Sequence, residues 1–131
     1  MIINQLSVFL ENKTGRINDV VHTLGANGIN MHAFSMAETA DFGILRLIVS
    51  DVDKAVEVLR EKNFAVMSTD VVCLSCANVP GSLAVVLEYL AEEQIFIEYM
   101  YAFAQADQAH VVIKPNDMSQ CLKVLEAHHC H

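Results

Sequence analysis

Sliding the chain on itself by 66 positions superimposes its two halves without a gap, and a duplication of that length constrains the fold more than any single motif. Asn12 falls on Asn78, Gly15 on Gly81, Val20 on Val86, Leu24 on Leu90, Ile29 on Ile95, Asp51 on Asp117, and Val58-Leu59 on Val124-Leu125. Identity is sparse but the apolar pattern repeats. Ile17, Val20, Val21 and Leu24 follow the i, i+3, i+4, i+7 spacing of a one-sided helix, and Leu83, Val86, Leu87 and Leu90 follow it again. Val52, Ala55, Val56 and Leu59 form a second such stripe, matched by Met118, Cys121, Leu122 and Leu125. Each half therefore carries two amphipathic helices.

Between the helices lie segments rich in branched and aromatic residues: LSVFL before the first, INMHAFSM after it, then ILRLIV beyond a turn at 39–43. Ser50-Asp51 and Asn116-Asp117 offer N-cap side chains to the second helices, Pro80 suits a helix start, and Gly28 suits a left-handed helix end. FAVMS then completes the order β-α-β-β-α-β, the split βαβ arrangement of ferredoxin-like folds. The expected class is α+β: two tandem modules, 1–68 and 69–131, each an antiparallel sheet with helices on one face. The second half stops after its second helix, so it lacks a C-terminal strand of its own, and Met1 to Asn4, which align with Met67 to Asp70, are expected to fill that edge. Apolar residues on both strand faces, where Phe34 and Met36 alternate with Met31 and Ala33, call for a second cover and so for a homo-oligomer, a dimer in the simplest case.

Composition excludes several function classes. With 53% apolar and 18% charged residues in 131, the chain has the material for a core and no disordered tract. A net charge of −8, shared as six bases against eight acids in residues 1–66 and two against eight in 67–131, argues against nucleic acid as partner. No apolar run reaches the roughly 20 residues of a membrane helix, and MIINQ lacks the basic residue and apolar block of a signal peptide. A cytoplasmic protein with no membrane partner is expected.

The stretch VFLENKTG (Val8 to Gly15), the helix after it, Gly28-Ile29-Asn30-Met31 and Ala37-Glu38-Thr39 resemble the ACT domain, and NVPG with the shared periodicity extends the likeness to the second half. The whole chain is similar to a tandem ACT protein with no enzyme attached. The resemblance implies a small allosteric, regulatory module that binds a free amino acid between neighbouring modules and controls a separate metabolic enzyme in trans. The implied contacts are the loop before the first helix of one module and the strand after that helix in the neighbouring module: Asn12, Thr14, Gly15, Arg16 and Ile17 with Asn30 and Met31, and in the second half Asn78, Gly81, Ser82 and Leu83 with Phe96 and Ile97. Thr14 stands where Pro is usual before this Gly.

Chemistry supports those positions, because a helix start exposes free N–H groups with partial positive charge and a Gly lets a carboxylate approach the backbone. Asn12 or Asn78 could accept from an ammonium while Met31 and Ile97 pad the ligand side chain. Gly15 and Gly81 serve a tight turn equally well with no ligand at all.

Other motifs point less far. Cys73-Leu74-Ser75-Cys76 has CxxC spacing but lies in an expected strand, where alternation puts the sulfurs on opposite faces, so reduced buried cysteines are expected. His128-His129-Cys130-His131 has metal-ligand residue types on a chain end without supporting groups, and no metal or cofactor is assigned. Ser35 and Ser75 lack a paired base in sequence, no carboxylate pair implies acid–base work, and no enzyme is expected. Beside the amino-acid sensor stand two alternatives, a ligand-free assembly module and a metal-responsive protein using the Cys/His tail.

Overall fold

Thirteen residues, Ala65–Ala77, form one unbroken strand across the boundary at which the two halves were expected to meet. In a computed structural model describing residues 1–38 and 41–131, the elements are β1 (Ile2–Glu11), α1 (Arg16–Ala26), β2 (Met31–Glu38), β3 (Phe42–Val49), α2 (Val52–Glu61), β4 (Ala65–Ala77), α3 (Ser82–Glu92), β5 (Ile97–Gln105), β6 (Gln108–Pro115) and α4 (Met118–Ala127). Thr39 and Ala40, in the turn expected at 39–43, lie outside the described residues.

The chain divides into two compact units, Asn4–Thr69 and Met1–Ile3 with Asp70–His131. In the first, hydrogen-bonded strands follow the order β2-β3-β1-β4; in the second, β1-β4-β6-β5. Strands β1 and β4 thus give residues to both units. In the second unit the edge beside β4 is held by the start of the chain: the Cys73 amide donates to the Met1 carbonyl at 2.7 Å, and the Met1 side chain lies against that unit's core. The Ser75 amide donates to the His131 carbonyl, so the last residue lines the same edge. Removing Met1–Ile3 should speed amide exchange at residues 71–113 and leave residues 10–60 protected. Equal protection of both segments after that deletion would contradict the strand-edge role.

Each unit has one core between its helices and one sheet face. Leu6, Val8, Leu10, Leu45 and Leu47 meet Val20, Leu24, Ala55 and Leu59 in the first, and Val72, Leu74, Val111 and Ile113 meet Val86, Leu90, Cys121 and Leu125 in the second. Each such Leu or Val contributes roughly 1.5–3 kcal/mol by leaving water. The register explains the choice of face, since Leu6 pairs with Leu47 and Val8 with Leu45, while Phe9 pairs with Ile44 on the opposite side.

The duplication holds down to single hydrogen bonds. Asp51 accepts from the Lys54 amide at 3.1 Å and Asp117 from the Gln120 amide at 3.0 Å, each capping its helix. The Ile29 amide reaches the Leu24 carbonyl at 2.9 Å and the Ile95 amide the Leu90 carbonyl at 3.0 Å, closing α1 and α3 alike. In that closure Gly28 has φ 69° and Gln94, its counterpart, φ 54°. Replacing Asp51 or Asp117 by Ala should cost about 1 kcal/mol each in urea unfolding, the usual worth of an N-cap.

One expectation about faces needs correction. Simple alternation would set Phe34 and Met36 opposite Met31, but the register shifts between Met31 and Ala33, so Met31 pairs with Val49, Phe34 with Leu47 and Met36 with Leu45. All three therefore share the helix-bearing face. Phe34 (62% exposed) and Met36 (43%) stay uncovered there because β2 is an edge strand. The same shift recurs 66 residues on, between Ile97 and Tyr99.

Candidate functional site

The backbone after β1 turns at Gly15, whose φ of 91° lies in the left-handed region, and enters α1 with no side chain capping it. A Cβ at Gly15 would meet nothing within 4 Å, so the conformation, not crowding, selects glycine there, and the space in front of the helix start is open. Gly81 repeats this ahead of α3, with φ 89° and no side-chain cap. The first amide of each helix is taken up in the turn, Arg16 donating to the Lys13 carbonyl at 3.4 Å and Ser82 to that of Val79 at 3.3 Å, and the next two N–H groups of the first turn are left for another acceptor.

A cleft of about 280 Å³ opens beside the first of these turns. It is lined by Asn12, Thr14, Arg16 and Ile17, four of the expected residues, and its remaining wall comes from Leu10, Glu11, Lys13, Met36 and Glu38. Strand pairing explains the last two, because Glu38 and Leu10 both pair with Gly43 and the end of β2 therefore lies at the level of the turn. Asn30 and Met31 stand at the other end of β2: the Asn30 amide donates to Ser50 Oγ at 2.9 Å, and Met31 lies against the core. Within their own unit these two are not brought to the cleft.

The charges of the cleft balance. Glu11 and Glu38 carry negative charge, Lys13 and Arg16 positive, and Leu10, Ile17 and Met36 supply apolar surface. Lys13 Nζ lies 2.9 Å from Glu11 Oε2 in an exposed pair, and its hydrogen bond and charge hold the Glu11 carboxyl below the usual range. Exposed as it is, that pair is easily exchanged for a ligand. The Arg16 guanidinium lies 4.8 Å from the centre of the Phe64 ring and makes a long 3.4 Å contact with Asp19.

In the second half the expected residues are more dispersed in role. The Asn78 amide donates to the Asp107 carbonyl at 2.8 Å and the Ser82 amide to the Val79 carbonyl at 3.3 Å. Leu83 and Ile97 lie against the core, and Phe96, 66% exposed, donates its amide to Asn116 Oδ1. The loop is built alike, but Leu83 and Ile97 are drawn inward while Phe96 and Val79 stay exposed.

The remaining motifs are engaged in packing. Cys76 and Cys130 lie against the second core, and Cys73 pairs with Val112 on the other face of β4. Burial pushes the thiols of Cys73, Cys121 and Cys130 up, away from the thiolate form a redox or metal role would use. His128 stacks on Tyr89 with ring centres 3.7 Å apart. Among the described residues no group of three or more His, Cys, Asp or Glu could hold a metal ion, and no helix is long and apolar enough to cross a membrane. Ser75 Oγ lies 3.0 Å from His110 Nδ1, a pairing that register alone creates, and Phe103 stacks on that His at 4.9 Å.

A family model for an ACT domain pair matches residues 1–129. The crystal structure of protein BT0572 from Bacteroides thetaiotaomicron is 53% identical, with 99% of this chain and 90% of that one covered and a TM-score of 0.94. The regulatory subunit of aspartate kinase from Thermus thermophilus, in its ligand-free form, matches over 97% of this chain and 94% of that one at 14% identity and a TM-score of 0.70. The corresponding subunit from Thermus flavus matches over 98% and 94% at 16% identity and a TM-score of 0.68. At those identities the two kinase subunits speak for the fold alone. No curated protein matches the chain.

Proposed function

Because this chain belongs to the ACT-domain family, as a domain pair, we propose that it is a non-catalytic regulatory protein that binds a free amino acid at the start of α1 and controls a separate metabolic enzyme or regulator. The observation that carries this reading is the charge-balanced cleft beside an uncapped helix start. A zwitterion needs both signs at close quarters. Its carboxylate is matched by the first-turn N–H groups and the Arg16 guanidinium, and its ammonium by Glu11, Glu38 and the Asn12 side chain. Leu10, Ile17 and Met36 favour an aliphatic or aromatic side chain over a charged one. A volume of about 280 Å³ admits a single small molecule.

Amide chemical-shift mapping with each common amino acid tests the assignment. One ligand should give saturable shifts at Thr14, Gly15 and Ile17; saturable shifts confined to Ser82 and Leu83 would move the site to the second loop, and none at either would refute amino-acid binding. The reading also includes a homodimer, supported by the exposed Phe9 and Phe42, whose rings lie 6.4 Å apart on the sheet face away from the helices. Light scattering should then give a mass above the 14.5 kDa of one chain, and a clean monomer at micromolar concentration would refute it.

A further inference from the structure

A second and larger cleft, of about 550 Å³, runs along α1 to the turn after α2 and shares Arg16 with the first. Its walls bring together Arg16, His22 and Lys62, with Asp19 as the acid and the Phe64 ring as an apolar floor under the guanidinium. In a chain of net charge −8, two of the eight Lys and Arg residues converge here.

The state of the polar groups indicates what the cleft could receive. Thr23 Oγ1 donates to the Asp19 carbonyl at 2.7 Å and Asn27 Nδ2 to the Thr23 carbonyl at 2.8 Å, so the hydroxyl hydrogen and one of the two amide hydrogens are taken up along α1 and its cap. The donors of the basic side chains are not. Among the described residues the His22 and Lys62 side chains have no partner, and Arg16 Nε is buried without one. The one polar contact of the guanidinium among the described residues, to Asp19 at 3.4 Å, is long for a charge-assisted hydrogen bond.

The duplication supplies an internal comparison. Sixty-six positions on, Arg16 becomes Ser82, His22 becomes Glu88, Lys62 becomes His128 and Phe64 becomes Cys130. There Tyr89 and His128 stack with ring centres 3.7 Å apart and 5° between planes, across the position the cleft takes in the first unit. The same scaffold thus carries an open cleft lined by Arg16, His22 and Lys62 in one half and, in the other, Ser82, Glu88 and a Tyr89–His128 ring stack, so the fold itself does not require the first arrangement.

The geometry points to a second ligand site, sharing only Arg16 with the amino-acid cleft, that takes the carboxylate or phosphate of a small organic anion between Arg16, His22 and Lys62. Oxyanions match this donor set because all three side chains can donate to them.

Titration of the full chain with sodium phosphate and, separately, sodium malonate, each against sodium chloride at equal ionic strength and followed by amide shifts, tests the site. The expected result is saturable shifts at His22, Thr23 and Lys62 with at least one oxyanion, none at Glu88 or His128, and affinity reduced at least about tenfold by Lys62→Glu. Response to phosphate alone or malonate alone assigns the anion class. His22→Glu, an exposed change to the residue found at the equivalent Glu88, should weaken binding in the same direction. Shifts no larger than those of chloride, or oxyanion affinity untouched by both variants, would overturn the site.

Discussion

Leu59→Ala and Leu125→Ala should each lower the unfolding free energy by about 2–5 kcal/mol, the range found when a buried Leu leaves a cavity that cannot collapse. Both side chains are fully buried, both sit near the end of the second helix of their unit, and the two positions are 66 apart. Leu59 belongs to the first core, with Leu6, Val20 and Leu47; Leu125 belongs to the second, with Leu74, Val86 and Ile113. Against a total stability of roughly 5–15 kcal/mol for a domain, either loss is a large fraction. Urea denaturation with the slope held fixed measures it. Comparable losses at the two positions would show that the duplication is energetic as well as geometric. A loss under about 1 kcal/mol at either would mean that core relaxes into the space.

What could be read from residues alone was whatever depends on local spacing. The helix stripes, the caps at Asp51 and Asp117 and the turns at Gly15 and Gly81 are properties of short segments, and all form as expected. Even there the stripe over-counts: Ile17 and Val21 of α1 are 41% exposed while Val20 and Leu24 are buried, because a helix lying on a sheet presents a narrower strip than its apolar face. What could not be read depends on pairing. The shared face of Met31, Phe34 and Met36 follows from a register shift between two strands, which no periodicity within one of them reveals. The same holds at the site. Met36 and Glu38 reach the cleft because they pair with Leu45 and Gly43, whereas Asn30 and Met31, nearer to α1 in sequence, stand at the far end of their strand. Alternation along MHAFSMAE shows neither the shifted face of Met31 nor which end of the strand meets the turn.

An amino acid present at a hundred times its dissociation constant should stabilise the protein by about 2.7 kcal/mol, since it binds the folded state and not the unfolded chain. Gly15→Asp should remove that gain, because its carboxylate would stand at the helix start and repel the ligand's. Strain must be separated from this electrostatic loss, as Gly15 has φ 91° and any side chain there costs about 1–2 kcal/mol. Gly15→Ala makes the separation: a Cβ at this position meets nothing within 4 Å, so the Ala variant should be less stable yet keep its response to ligand. Gly81→Asp repeats the test at the second loop, whose φ of 89° imposes the same strain. A response that survives Gly15→Asp and disappears in Gly81→Asp would place the amino acid at α3 instead.

The most direct measurement is the melting temperature of the unaltered chain against each common amino acid in turn, at millimolar concentration and constant ionic strength. The account predicts that at least one, aliphatic or aromatic, raises the midpoint in a saturable way, and that Gly15→Ala retains the rise while Gly15→Asp loses it. If every common amino acid leaves the midpoint of the wild-type chain unmoved, amino-acid sensing is contradicted and a ligand-free assembly module takes its place.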